Sequence, residues 1–189
     1  MNEARLDNEL ERIYKKFPFL SESYDFHVKY FTRDYGMYYK GFILGLENDL
    51  CKLVFEKETN SSVEPITEYV GTKRSLFAPP NYSYYVKGGW YPLTGLIYWL
   101  SGVECERDSN VDQDLENVSQ YLKIHMDKLL DLFKSPQDFD KKLEYYRNLN
   151  KENQITVEQI RAERARLQAL GQDSSLDAAI DNLRRGKNE

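Results

Sequence analysis

Residues 111–133 read VDQDLENVSQYLKIHMDKLLDLF, and the spacing of their apolar positions decides the fold. Val111, Leu115, Val118, Leu122, Met126, Leu129 and Phe133 recur at steps of three and four, which keeps them on one stripe of an α-helix. The ends are marked as well. Asn110 is a candidate N-cap, Asp112, Asp114 and Glu116 set negative charge against the positive helix start, and Lys128 and Lys134 lie toward the other end before Ser135-Pro136. Such a helix runs about 34 Å at 1.5 Å per residue, enough to cross a small sheet. The stripe therefore predicts burial of Val118, Leu122, Met126 and Leu129 against a sheet.

Upstream, the sequence supplies that sheet. Leu6, Leu10, Ile13 and Phe17 keep helical spacing until Pro18, and Phe17-Pro18-Phe19-Leu20 reads as an apolar turn. Tyr24, Phe26, Val28 and Tyr30 then alternate with Asp25, His27 and Lys29, the period of a strand with one dry face. After the turn Asp34-Tyr35-Gly36, residues Met37 to Leu46 form a second strand, whose Gly41 and Gly45 leave clearance on one face. Glu47-Asn48-Asp49 turns the chain into a third strand, Leu50 to Glu58, with Cys51, Leu53 and Phe55 on one side. Pro65 to Val70 fits either an edge strand or one helical turn, and Tyr82 to Lys87 fits a further strand ended by Gly88-Gly89. Pro92 to Ser101 has helical spacing, with Gly102 just beyond.

Downstream of the long helix only helices follow. Ser135-Pro136 opens one with Phe139, Leu143 and Tyr146 as its stripe. Thr156-Val157-Glu158-Gln159 is a capping box ahead of Ile160, Leu167 and Leu170, and Leu176, Ile180 and Leu183 mark a last short helix. The order predicts an α+β fold: an antiparallel meander of four to five strands covered by a long helix, with an N-terminal helix and a helical C-terminal extension. Residues 1–134 are expected to form the core domain and residues 135–189 an extension or arm, which offers a hook for homo-oligomers.

Charge narrows the partners. The net charge is −5, and residues 151–189 hold seven basic and seven acidic side chains, so the acidic excess lies upstream. An acidic fold repels phosphate backbones, which argues against nucleic acid and anionic membranes and favours a protein partner. The charged residues near Met1 are unlike a signal peptide and no long apolar run occurs, so a cytoplasmic location is expected. Cys51 and Cys105 lack the paired spacing of zinc or redox motifs and read as reduced and structural.

Candidate chemistry is thin. Asp108, Asn110, Asp112 and Asp114 occupy positions 1, 3, 5 and 7 of a calcium-loop pattern, but its glycine and glutamate positions hold Gln113 and Ser119. Capping is the better use for them. Gly71-Thr72-Lys73-Arg74-Ser75 lacks the glycines of a phosphate loop. His27 and His125 have no nucleophile, carboxylate or metal ligand at motif spacing. No metal or cofactor is expected, and the reading leans away from an enzyme. The dense aromatic run Tyr82, Tyr84, Tyr85, Trp90, Tyr91, Tyr98 and Trp99 suits either a core or a protein interface.

With its helix, meander and helix order, and strands at 24–33, 37–46 and 50–58, residues 1–134 resemble the small acidic α+β proteins of bacterial and phage genomes, some of which are immunity proteins that neutralise a partner toxin. The resemblance implies a non-enzymatic protein that binds another protein, as an inhibitor or immunity-like partner. Glu47, Asp49, Glu104, Glu106 and Asp108, with Trp90 and Tyr91, are the expected acidic and aromatic contact surface. The alternatives are a regulatory module holding a small ligand between the glycine-bearing sheet face and a helix, or an enzyme whose site assembles only in the fold.

Overall fold

A computed structural model describes residues 11–33, 41–58, 66–75, 89–151 and 154–187. The chain forms two compact units. One comprises the chain through Leu93 together with Arg107–Ser119, and the other comprises Thr94–Glu106 and the chain from Gln120 onward. The fold is α+β, as the sequence predicts, with a five-stranded antiparallel meander in the order β1-β2-β3-β4-β5. The expected break after residue 134 and the division into units differ in place, because the latter falls inside the long helix.

In the sheet unit, residues 11–16 form α1, which stops before Pro18. Pro18 then opens a second helix, α2 (Pro18–Tyr24), instead of a turn. Its ring fixes φ and its missing N–H is unneeded at a helix start, so one residue both ends one helix and begins the next. Asp25 closes α2 in the left-handed conformation, at φ 54°, and the chain enters β1 (His27–Arg33). The strands β2 (Gly41–Glu47), β3 (Cys51–Glu58), β4 (Thr67–Thr72) and β5 (Trp90–Pro92) follow. The segment that fitted strand or helix is thus β4. The expected strand at Tyr82–Lys87 and the turn at Asp34-Tyr35-Gly36 lie outside the described residues.

Register assigns the faces. Leu44 pairs with Phe55, Leu46 with Leu53, and Leu53 in turn with Val70, so these side chains share one face, and all are buried. Phe17 packs edge-on against Phe55 with ring centroids 5.0 Å apart; burying an aromatic ring of this kind contributes about 1.5–3 kcal/mol. The opposite face is not wet, as the alternation suggested. There Ile43, Val54 and Trp90 form a second buried cluster, with Tyr30 and Tyr69 packed against it. Along β1 the expected dry row also breaks: Val28 is exposed because the register shifts between Val28 and Tyr30.

The turn at Glu47-Asn48-Asp49 is held as its residues suggest. The Asn48 side-chain oxygen accepts from the backbone N–H groups of Leu50 and Cys51 at 2.9 and 3.0 Å. Before β5, Gly89 supplies a φ of 74°. Gly71 serves a different need, close approach. A Cβ there would stand 2.7 Å from Cε3 of Trp90 and 2.8 Å from Oγ of Ser75. Gly71→Ala should therefore cost about 1–3 kcal/mol by overpacking, read as a lower urea midpoint; an unchanged midpoint would show that Trp90 can move aside.

The helix α4 (Val111–Lys134) starts as the sequence indicates. Asn110 caps it, accepting from the N–H groups of Asp112 and Gln113 at 3.0 and 3.2 Å. Its first turns are tied to α1 by Arg12 to Asp112 at 2.6 Å, by Lys16 to Glu116 at 2.8 Å, and by the Ser119 hydroxyl donating to the Lys16 carbonyl. Val118, Leu122, Met126 and Leu129 are all buried. Only Val118 belongs to the sheet unit, whereas the other three fall in the second unit.

That second unit holds α3 (Leu93–Ser101) from Thr94 onward, the rest of α4, a 3-10 turn at Pro136–Asp138, α5 (Phe139–Asn150), α6 (Val157–Ala169) and α7 (Leu176–Gly186). Ser135 makes no side-chain cap, contrary to its sequence reading. Thr156 and Gln159 do form both bonds of the capping box. The segment after α3 pairs in parallel with the chain before α6: Ile155 N–H donates to Gly102 and Glu104 N–H to Ile155, at 2.8 and 3.0 Å. The Tyr121 hydroxyl donates to the Val103 carbonyl beside that bridge. Among the described residues no helix is long and apolar enough to cross a membrane.

Candidate functional site: a buried charge cluster and an aromatic cleft

The sheet unit carries a charge cluster of two buried carboxylates and an arginine whose side chain is 37% exposed. Glu68 lies on the apolar sheet face, paired in register with Phe55, and is 2% exposed. Asp114, in the first turns of α4, is 1% exposed. Between them, Arg107 donates from Nη1 to Glu68 at 2.9 Å and from Nη2 and Nε to Asp114 at 2.7 and 2.8 Å. Nη2 also donates to the Ile66 carbonyl at 3.0 Å, and the Asp108 N–H donates to Asp114 at 2.9 Å. Burial pushes the Glu68 carboxyl up to about 7 against the pull of Arg107, and the Asp114 charge adds to the rise. One guanidinium facing two carboxylates leaves the cluster one negative charge in excess, which a proton on Glu68 cancels. Its donors and acceptors are spent on one another. It acts as a clasp between β4 and the start of α4.

The calcium-like run is likewise consumed locally. Asp108 accepts from Asn110 N–H at 2.7 Å, Asn110 caps α4, Asp112 meets Arg12, and Asp114 meets Arg107. Among the described residues no group of three or more His, Cys, Asp or Glu could hold a metal ion.

The expected contact surface divides on inspection. Trp90 is 4% exposed and is a core residue rather than a surface one, because it lies over Gly71. Tyr91, whose strand register puts it opposite Val70, is half-buried. Glu47 is held by Lys73 at 2.8 Å, and that ammonium keeps its carboxyl below the usual range. Glu104 accepts from the Val157 N–H at the start of α6, and Glu106 pairs with Arg161 at 2.7 Å. Asp108 is half-buried in the cap of α4, and Asp49 stands exposed at the β2–β3 turn. Glu47, Asp49, Trp90, Tyr91 and Asp108 belong to the sheet unit and Glu104 and Glu106 to the helical one. Glu104 and Glu106 thus both meet the first turns of α6.

What the sequence did not single out is a cleft of about 490 Å³ in the helical unit. Tyr98 and Trp99 of α3 face Glu144, Arg147 and Asn148 of α5 and the following Lys151 across it. Residues 144, 147, 148 and 151 share one helix face because they follow at three- and four-residue steps. The guanidinium of Arg147 stands over the Trp99 ring, 5.0 Å from its centroid. Asn150 Nδ2 donates to the Trp99 carbonyl at 3.1 Å and pins the end of α5 to α3. Farther round the same helix, Tyr145 is 63% and Leu149 54% exposed. The lining is more polar than apolar.

Burial pushes the Cys51 thiol up to about 12, and Cys105 is half-buried with its thiol donating to the Glu106 carbonyl at 3.8 Å. His27 is exposed on β1 with Nδ1 3.3 Å from the Asp25 carbonyl oxygen. His125 is buried, with its Nε2 lacking any partner among the described residues. Among the described residues neither imidazole is set beside a thiol or carboxylate in a catalytic arrangement. No family model matches this chain, and neither a curated protein nor a solved structure does.

Proposed function

We propose that this protein works by binding another protein, in the manner of an inhibitor or immunity-like partner, through the face of the helical unit that α3 and α5 present. The observation that carries this reading is the exposed side of α5, where Arg147 lies over the Trp99 ring and, farther round the helix, Tyr145 and Leu149 stand open to solvent. Trp, Tyr and Arg dominate the energetics of protein interfaces, since each brings a large rigid area and a polar handle. The acidic residues first assigned to the contact surface are mostly engaged within the chain, so the contact moves to this aromatic face. A photoreactive amino acid at position 145, in the full chain and in its native cells, should cross-link one dominant protein. The yield should fall about tenfold in L149D, equivalent to about 1.4 kcal/mol of binding. An unchanged yield in L149D, or no cross-link, would count against this face.

The small-ligand reading retains one supporting observation, the volume of the cleft, which lies within the usual range for ligand sites. Its polar lining speaks for a surface groove instead. A metabolite screen by thermal shift, with stabilisation that depends on Trp99, would favour the ligand.

A further inference from the structure

We propose that the cleft between α3 and α5 receives a carboxylate side chain from an acidic peptide segment of the partner, gripped by Arg147 and Lys151. This rests on the partner-binding reading of the same face and adds the chemistry of what enters it.

The Arg147 guanidinium is held over the Trp99 ring, 5.0 Å from its centroid. A cation–π contact leaves the N–H groups of an arginine unspent, and its fork matches two carboxylate oxygens. No described residue accepts a hydrogen bond from those donors. Lys151 follows four residues later on the same face of the cleft. Elsewhere in this unit Arg161, Arg166 and Lys142 are neutralised by Glu106, Glu163 and Asp131 at 2.7, 2.6 and 3.2 Å. Arg147 and Lys151 have no carboxylate at ion-pair distance among the described residues. Two cations in one cleft, one of them pre-placed by stacking, therefore await an anion.

Glu144, in the same lining, restricts which anion. With Arg147 and Lys151 it leaves the lining one net positive charge, which a single carboxylate neutralises and a doubly charged phosphate exceeds. Tyr145 and Leu149 lie one step farther round α5 from Glu144 and Asn148, where they offer apolar contact to a chain that continues past the cleft and that a free small acid would not reach. These features together favour a peptide bearing Asp or Glu beside apolar residues.

The test is an immobilised array of short peptides in which every Asp- or Glu-containing sequence is matched by its Asn or Gln counterpart, probed with the full chain. Acidic members should be retained about tenfold more strongly than their amide counterparts, a difference of about 1.4 kcal/mol. R147Q should remove that preference, while R147K, which keeps the charge and loses the fork, should keep only part of it. Thermal melts of both variants matching the parent chain would exclude a folding defect. Equal retention of acids and amides, an undiminished preference in R147Q, or displacement by inorganic phosphate at the peptide's own concentration would each overturn the proposal. If the cross-link at position 145 persists while the array shows no acid preference, the carboxylate inference fails and partner binding stands. Loss of both removes both.

Discussion

Arg107→Met should destabilise the sheet unit by about 3–5 kcal/mol, the cost of leaving buried carboxylates without their cation. Glu68 and Asp114 are both enclosed, and Arg107 is the cation that bonds to each of them. Total stabilities of folded domains are about 5–15 kcal/mol, so this one change should remove a large share of it. The two tryptophans fall one in each unit, so urea unfolding followed in a W99F background reports on buried Trp90 and hence on the sheet unit. The same cluster gives a pH signature. The Glu68 carboxyl is raised to about 7 in the fold, above its ordinary value of about 4.3. Between those two values the folded chain holds a proton that the unfolded chain has released, so stability from this group is full at acid pH and is lost as pH rises through 7. Glu68→Gln, which keeps a neutral group of the same shape, should flatten that slope. A loss below about 1 kcal/mol in R107M would mean that the pocket opens to water and the clasp is superficial.

The second large effect belongs to His125 and has the opposite sign. Its ring is 2% exposed, edge-on to Tyr121 at 5.0 Å, with Nε2 unpaired. Burial lowers its pKa to about 3, and the charges of Arg184 on α7 and Lys128 on α4 push the same way. Below about 6.5 the unfolded chain takes up a proton that the folded chain refuses, so stability is full above that value and falls as pH drops toward 3. At about 1.4 kcal/mol per pH unit the loss approaches roughly 4–5 kcal/mol at the acid end. His125→Leu should abolish this acid slope. It should also stabilise the helical unit at neutral pH by about 1–3 kcal/mol, because the unsatisfied nitrogen disappears. The acid midpoint of the parent chain and of H125L, read from far-UV circular dichroism, decides it: the same midpoint in both would show that water reaches the imidazole.

The period of the sequence carried most of the architecture. Alternation in 50–58 and the helical steps of 111–133 survive in the fold because each has a large apolar face to bury. Pro18 misled, since a proline that stops one helix is equally suited to the first position of another. Trp90 was assigned to the contact surface because β5 has three residues, too few for alternation to show. The Glu68 cluster was half legible: Ile66, Glu68 and Val70 alternate, which sets a carboxylate on a dry face and demands a cation. Which cation was not legible, for Arg107 lies 39 residues away. The cleft was hidden for a similar reason. Glu144, Arg147, Asn148 and Lys151 look like any solvated helix face until α3 brings Trp99 beneath them.

The register shift in β1 has a consequence for how the molecule behaves in company. Among the described residues β1 and β5 are the two margins of the meander. An open margin is a template on which another chain's strand can be laid, the first step of cross-chain pairing and aggregation. Here one margin is only three residues long. The other is interrupted between Val28 and Tyr30, where the extra residue bends the ladder and exposes Lys29. A straight run of backbone donors and acceptors is thus denied to a newcomer on both sides. The bulge that exposes Val28 also limits growth of the sheet beyond its own five strands.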